Sequence, residues 1–207
     1  MSPSDQEAPP SRSAARALAT RASLLELAGE LFAEHGYVQT SIRDIARQAS
    51  VTTGAIYGHF RNKADLLVEV INMRTSEELE ASSRALADED YVNTLTRLGR
   101  EFRKRRQLRA LIVQGAAAAV TDEETRERLR DEQLSHINTW VAGYRQNRER
   151  MGIHPSVQVH DALLYTWAAE VGLGVLEAVG IEPKSPKGWA DVQNRLARGL
   201  QLPPDTD

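Results

Sequence analysis

The chain has 207 residues, 26 Lys+Arg against 29 Asp+Glu for a formal charge of -3, and no cysteine; this is enough for a small module plus a larger domain, and it excludes disulfide frameworks and thiolate-bound zinc. The charge is uneven: residues through Lys63 carry seven basic and six acidic side chains, and the acidic surplus follows, so attraction for a polyanion must come from a local patch rather than a global field. No apolar run approaches a membrane span and no charged-then-apolar leader opens the sequence, so no membrane partner is expected and the expected location is cytoplasmic.

Residues 1–14 are rich in proline and serine, lack apolar periodicity and read as a disordered tail. From 15 to 35, Leu18, Leu24, Leu25, Leu27, Ala28, Leu31 and Phe32 recur at helical spacing until Gly36 stops the run. A second helix is expected over 41–49. Thr40 or Ser41 can cap it, Ser41 with Asp44 gives a capping-box pattern, and Ile42, Ile45, Ala46 and Ala49 form its buried stripe. Val51 plugs the turn that follows. Thr52 or Thr53 caps a third helix over 53–60, which buries Ala55, Ile56 and Phe60. A fourth helix starts at Asn62, with Asp65 three residues on, and runs toward Leu86.

Two short helices around a four-residue turn have the spacing of a helix-turn-helix, so the chain is expected to read double-stranded DNA. The face left over carries Thr52, Thr53, Gly54, Tyr57 and Gly58. Such small, hydroxyl-bearing and phenolic groups let the backbone approach a duplex while hydroxyls reach phosphates or base edges. Thr40 and Lys63, at the starts of the second and fourth helices, are expected on phosphate, and Arg43 on phosphate or base.

From Arg21 to Val70, the sequence RASLLELAGELFAEHGYVQTSIRDIARQASVTTGAIYGHFRNKADLLVEV resembles the N-terminal DNA-binding domain of the tetracycline-repressor (TetR) family of transcriptional regulators. The resemblance rests on LFAEHGY, the Thr-Ser helix start, the Ile-Ala pair, GAIYGHF and the Asn-Lys-x-x-Leu-Leu opening of the fourth helix. Two positions depart from the family pattern. Ser50 stands where a turn glycine is common, which requires it to adopt a left-handed or bridge-region backbone, and Gly58 stands where a larger residue is common and weakens its helix by up to ~1 kcal/mol relative to alanine. The resemblance implies a phosphate contact for His59, at the end of the recognition helix. It also implies a homodimeric regulator, a repressor released from a palindromic operator by a small, largely apolar ligand; the alternative is a constitutive or architectural DNA-binding protein of the same fold without an inducer.

Past Asp90, helices are expected over 91–102, 105–120, 122–151, 157–179 and 186–201, with no alternating strand pattern, so the fold class is all-α with about nine helices. The organisation is a helix-turn-helix domain over 15–61, a ligand-binding and dimerisation domain over 62–202 and a tail over 203–207. Trp140, Tyr144, Ile112, Phe102 and Tyr165, with the polar His136 and Gln114, are the candidates for an effector cavity or, equally, for ordinary core. The basic run Arg103-Lys104-Arg105-Arg106 with Arg109 reads as a solvated corner, since consecutive charges cannot share one helix face. The helix over 157–179 is apolar nearly all round and needs burial on two sides. Leu163, Trp167 and Gly174 there, with Trp189, Val192 and Leu196 on the last helix, are the expected dimer interface in a four-helix bundle. No histidine pair has the spacing of a helical zinc site, and no phosphate loop, nucleophile elbow or HExxH motif occurs, so neither metal, cofactor nor enzymatic activity is expected.

Overall fold

The computed structural model describes residues 11–86 and 89–201. Among them are nine α-helices: α1 (Arg12–His35), α2 (Ile42–Gln48), α3 (Thr53–Tyr57), α4 (Lys63–Leu86), α5 (Tyr91–Arg100), α6 (Arg106–Thr121), α7 (Glu123–Gln146), α8 (Val159–Ala178) and α9 (Pro186–Arg198). The C-terminal tail and most of the N-terminal tail expected from the sequence lie outside the described residues. Residues 12–14 are helical, because the Ser11 hydroxyl accepts from the Ala14 N–H and starts α1 earlier than expected.

Local signals set the ends of the helices. Ser41 and Asp44 form the reciprocal capping box at the start of α2. At α4 the Asn62 side chain accepts from the Asp65 N–H at 2.7 Å, and the Asp65 carboxylate accepts from the Arg61 N–H at 2.7 Å. Several helices are shorter than the apolar spacing suggests, α5, α8 and α9 by two or three residues and α3 and α7 for identifiable reasons. α3 stops at Tyr57, because Gly58 closes it and His59 and Phe60 form a turn that sends Phe60 into the core. α7 ends at Gln146, after which the chain turns through Gly152 at φ 65° to make an isolated bridge between Ile153 and Gln201.

One apolar core runs from the N-terminal helices into the rest of the molecule. Phe32, Ile45, Ile56, Phe60, Leu66 and Ile71 are buried together with Leu111 and Ile112 of α6 and Leu129 of α7. Each large side chain contributes roughly 1.5–3 kcal/mol by leaving water. The close approach of α6 to α4 depends on Gly115, where a Cβ would stand 2.5 Å from Ile71 Cδ1. A second core gathers Tyr91, Leu95, Ile137, Tyr144, Met151 and Leu163 from α5, α7, the α7–α8 turn and α8. Trp167 of α8 packs against both.

Candidate DNA-binding face and internal cavity

The α2–α3 pair exposes a compact polar face. Ser50 adopts φ 55°, the one positive φ among the described non-glycine residues, so the chain reverses between the helices at some cost in backbone strain. The Val51 N–H donates to Ala46 O, which draws half-buried Val51 into the turn. The Thr52 hydroxyl accepts from the Ala55 N–H at 3.1 Å and caps α3. This leaves Tyr57, 54% exposed, with Gly54 and Gly58 on the open side, Thr53 and His59 half-buried beside them, and Arg43 exposed on α2. Arg43 makes no ion pair among the described residues, whereas Arg47 is held by Asp44 at 2.6 Å.

Two expected phosphate contacts are engaged internally instead. Thr40 is buried, its hydroxyl donating to the carbonyls of Gly36 and Leu31 and its N–H to Gly36 O. Lys63 Nζ donates to Tyr37 O at 2.8 Å and Thr40 O at 3.1 Å and lies 4.2 Å from the centre of the Tyr37 ring. Partial burial lowers the ammonium's pKa. Lys63→Ala is therefore expected to lower unfolding free energy by about 1–3 kcal/mol. Arg43→Ala should leave stability unchanged and reduce the salt dependence of DNA binding by about one phosphate's worth. Urea titration and binding isotherms at several salt concentrations check both; a Lys63 variant of full stability with a lowered salt slope would return Lys63 to the phosphate contacts.

Several polar groups brace this face against the helices behind it. Gln114 of α6 donates from Nε2 to Phe32 O at 3.2 Å and accepts the Tyr37 N–H. His136 of α7 is buried, hydrogen-bonds Asn72 of α4 through Nε2 at 2.8 Å, and has its pKa pushed down by burial. Arg128 of α7 pairs with Asp65 and with Glu69 at 3.0 Å, and Glu69 also holds Arg21 at 2.8 Å. Gln114 and His136, expected in an effector cavity, thus tie helices together.

The cavity itself lies among α4, α5, α6, α7 and α8. Its volume is about 60 Å³. Ile112, Trp140 and Tyr144 line it, with Leu95, Leu98, Leu108, Thr166 and Val171. The Trp140 and Trp167 rings meet edge to face, 5.5 Å apart. The phenol of Tyr144 is pushed to higher pKa by burial and by Tyr91, so it is a neutral hydrogen-bonding group.

The structure corrects several placements. Phe102 is buried 5.9 Å from the Arg109 guanidinium and does not line the cavity. Tyr165 is 60% exposed and faces a groove between α8 and α9. Leu163 and Trp167, expected at a dimer interface, line the cavity, and Gly174 lies against α6, where a Cβ would stand 3.0 Å from Arg109 Cβ. The basic run is no solvated corner throughout: Arg109 is buried, gripped by Glu177 at 2.6 Å and Glu170 at 3.1 Å, and Arg105 reaches Glu170 at 2.9 Å. The Glu residues that signal this, at 170 and 177, are seven apart on α8, two turns along one face.

The apolar face of α8 and α9 remains open. Leu164, Val175 and Leu176 on α8 and Val192 and Leu196 on α9 are about half exposed. Gly172 has nothing within 4 Å of where its Cβ would be, and half-buried Trp189 lines the groove of about 410 Å³ between the two helices.

Residues 24–70, which include the α2–α3 pair, match the family described as "Bacterial regulatory proteins, tetR family". The chain is similar to the "Probable acrEF/envCD operon repressor" of Escherichia coli K12, 51% identical over 59 residues that make up 28% of this chain and 27% of that protein. It thus spans about a quarter of that relative. A longer likeness, 29% identity over 192 residues, covers 91% of this chain and 83% of the "Probable HTH-type transcriptional regulator ArpR" of Pseudomonas putida. The fold is similar to that of Salmonella enterica GusR, with a TM-score of 0.68, 22% identity and coverage of 89% and 96% of the two chains.

Proposed function

We propose that this chain, which belongs to the TetR family of bacterial regulatory proteins, is a homodimeric transcriptional repressor that binds an inverted-repeat operator and leaves it when a small, largely apolar ligand enters the C-terminal cavity. The observation that carries the reading is the pairing of an exposed helix-turn-helix face with a walled cavity on the same helix: α4 begins beside α3 and reaches Glu78 and Ser82 of the cavity wall. In this reading residues 15–61 bind DNA and residues 62–202 bind ligand and partner. Tyr57, Thr53, Gly54 and Gly58 enter the major groove, Thr52, Arg43 and His59 stand at the phosphates, and Thr40 and Lys63 hold the motif's shape. A second copy related by a two-fold axis sets the recognition helices about one DNA turn, ~34 Å, or somewhat more apart.

Ligand control follows from differential affinity. A ligand bound 100-fold more tightly by the free dimer than by the DNA-bound dimer weakens operator binding 100-fold at saturation, a coupling of about 2.7 kcal/mol. The cavity's apolar walls and few polar groups suit such a ligand. Selecting bound fragments from random double-stranded DNA tests the reading. The expected result is an inverted repeat protected over both halves and released by a ligand that quenches the cavity tryptophans. Enrichment of no sequence would overturn specific regulation, and an operator that no cavity ligand releases would replace the repressor with a constitutive binder.

A further inference from the structure

We infer that Arg61 is a phosphate contact shared with the ligand-binding domain: on DNA it leaves Glu124 of α7 for the duplex, so that α7 and DNA hold it in turn. This rests on the reading of the chain as a DNA-binding regulator and adds a contact to those already assigned. The cations around the motif lead to it. From Thr40 to Lys63 the chain carries four lysine and arginine residues, Arg43, Arg47, Arg61 and Lys63. Lys63 points inward to carbonyl groups, Arg47 is held by Asp44, and Arg43 alone makes no ion pair among the described residues. A duplex presents phosphates on both sides of the groove that the recognition helix enters, and one unpaired arginine per motif neutralises little of that charge.

Arg61 is the cation best placed to change partners. It lies two residues past His59, its side chain is 59% exposed, and that side chain pairs with the carboxylate of Glu124, itself 56% exposed. Between exposed groups such a pair contributes little, so a phosphate, which takes the same guanidinium fork, replaces it readily. Its other acidic neighbour does not hold it back. The Asp65 carboxylate accepts the Arg61 N–H at 2.7 Å and pairs with Arg128, and it stands 3.6 Å from the Arg61 guanidinium. Arg128 also repels Arg61: the Arg128 pKa is lowered by burial and then by the charge of Arg61, a repulsion relieved when Arg61 swings outward. The place of Glu124 gives the exchange a consequence. Asp44 shares α2 with Arg47 and moves with it, whereas Glu124 is in the first turn of α7, outside the DNA-binding unit. DNA that takes Arg61 therefore undoes a tie between that unit and α7, and by linkage whatever strengthens the tie weakens DNA binding. The same α7 lines the cavity with Trp140 and Tyr144, so one helix meets the effector site and the end of the recognition turn.

The test uses the full chain and short random-sequence duplex DNA, whose binding draws on phosphate contacts whatever the sequence. Anisotropy of labelled DNA gives the affinity at several salt concentrations, and urea midpoints show that each variant is folded. Glu124→Gln is expected to tighten binding about threefold for each motif engaged, the worth of an exposed ion pair. Arg61→Ala should weaken binding and lower the salt slope by about one per motif. In the Arg61→Ala background, Glu124→Gln should then gain nothing. Glu123→Gln removes the same charge one residue away, from a carboxylate paired with Arg126 of its own helix, and should change affinity less than Glu124→Gln. No gain from Glu124→Gln, equal gains from both glutamates, a gain that persists without Arg61, or an unchanged salt slope in Arg61→Ala would each overturn the shared contact. With the wild type bound to DNA, those results leave the regulator standing. A wild type that binds no duplex at low salt defeats the regulator and the shared arginine together.

Discussion

Arg109→Met is expected to lower the free energy of unfolding by about 3–5 kcal/mol, because it leaves two carboxylates buried without their cation. Glu170 and Glu177 are 6% and 9% exposed, and the Arg109 guanidinium makes three of their hydrogen bonds. Arg105 remains to satisfy one oxygen of Glu170, but nothing among the described residues replaces Arg109 at Glu177. The loss should appear in urea unfolding as a shift of the midpoint. Combining Arg109→Met with Glu170→Gln and Glu177→Gln should recover most of it, since a buried ion cluster replaced by neutral groups of similar volume often costs little. A single variant that loses less than about 1 kcal/mol would mean that water reaches Glu177 and that the cluster is not sealed.

How much of this was legible in the sequence depended on the range of the signals. The DNA-binding motif was readable because its cues are local: Ser41 and Asp44 are three residues apart, Ile42, Ile45 and Ala46 mark one face, and the short turn forces the backbone of Ser50 whatever packs around it. Thr40 and Lys63 were legible as positions but not as contacts. Their partners are the carbonyls of Leu31, Gly36 and Tyr37, whose direction is set by how α1 ends. Gln114 and His136 were misplaced for a related reason. A polar residue on an apolar helical stripe can face a cavity or tie down a neighbouring helix, and only the positions of Phe32, Tyr37 and Asn72 decide. The helix α8 was the hardest, since apolar side chains surround it and periodicity assigns no inner face. Trp167 and Leu163 point inward while Leu164 and Tyr165, which lie between them in the chain, point out. The acidic partners Glu170 and Glu177 were the available clue. Two glutamates seven residues apart in an apolar helix call for buried cations, and Arg105 and Arg109, one turn apart at the start of α6, supply them, Glu170 taking both and Glu177 taking Arg109.

That division of α8 determines where a dimer can be broken. A charge at Trp167 or Leu173 would disturb the cavity or the core, since Leu173 is 3% exposed, so dissociation there would say nothing of an interface. Val175 and Leu196 are about half exposed on α8 and α9, and the open site at Gly172 lets a partner helix come close. In a two-fold interface each substitution appears twice, and an unpaired carboxylate buried at about 2 kcal/mol per copy raises the dimer dissociation constant about a thousandfold. Val175→Glu and Leu196→Glu are each expected to yield monomers at micromolar concentration by sedimentation while keeping the wild-type unfolding midpoint of the monomer fold. Operator affinity should fall with dimerisation, because one recognition helix reads only half of an inverted repeat. A wild-type chain that sediments as a monomer would remove the interface altogether. A dimer that survives both substitutions would move it to another face, leaving the exposed apolar surface of α8 and α9 without a role in assembly.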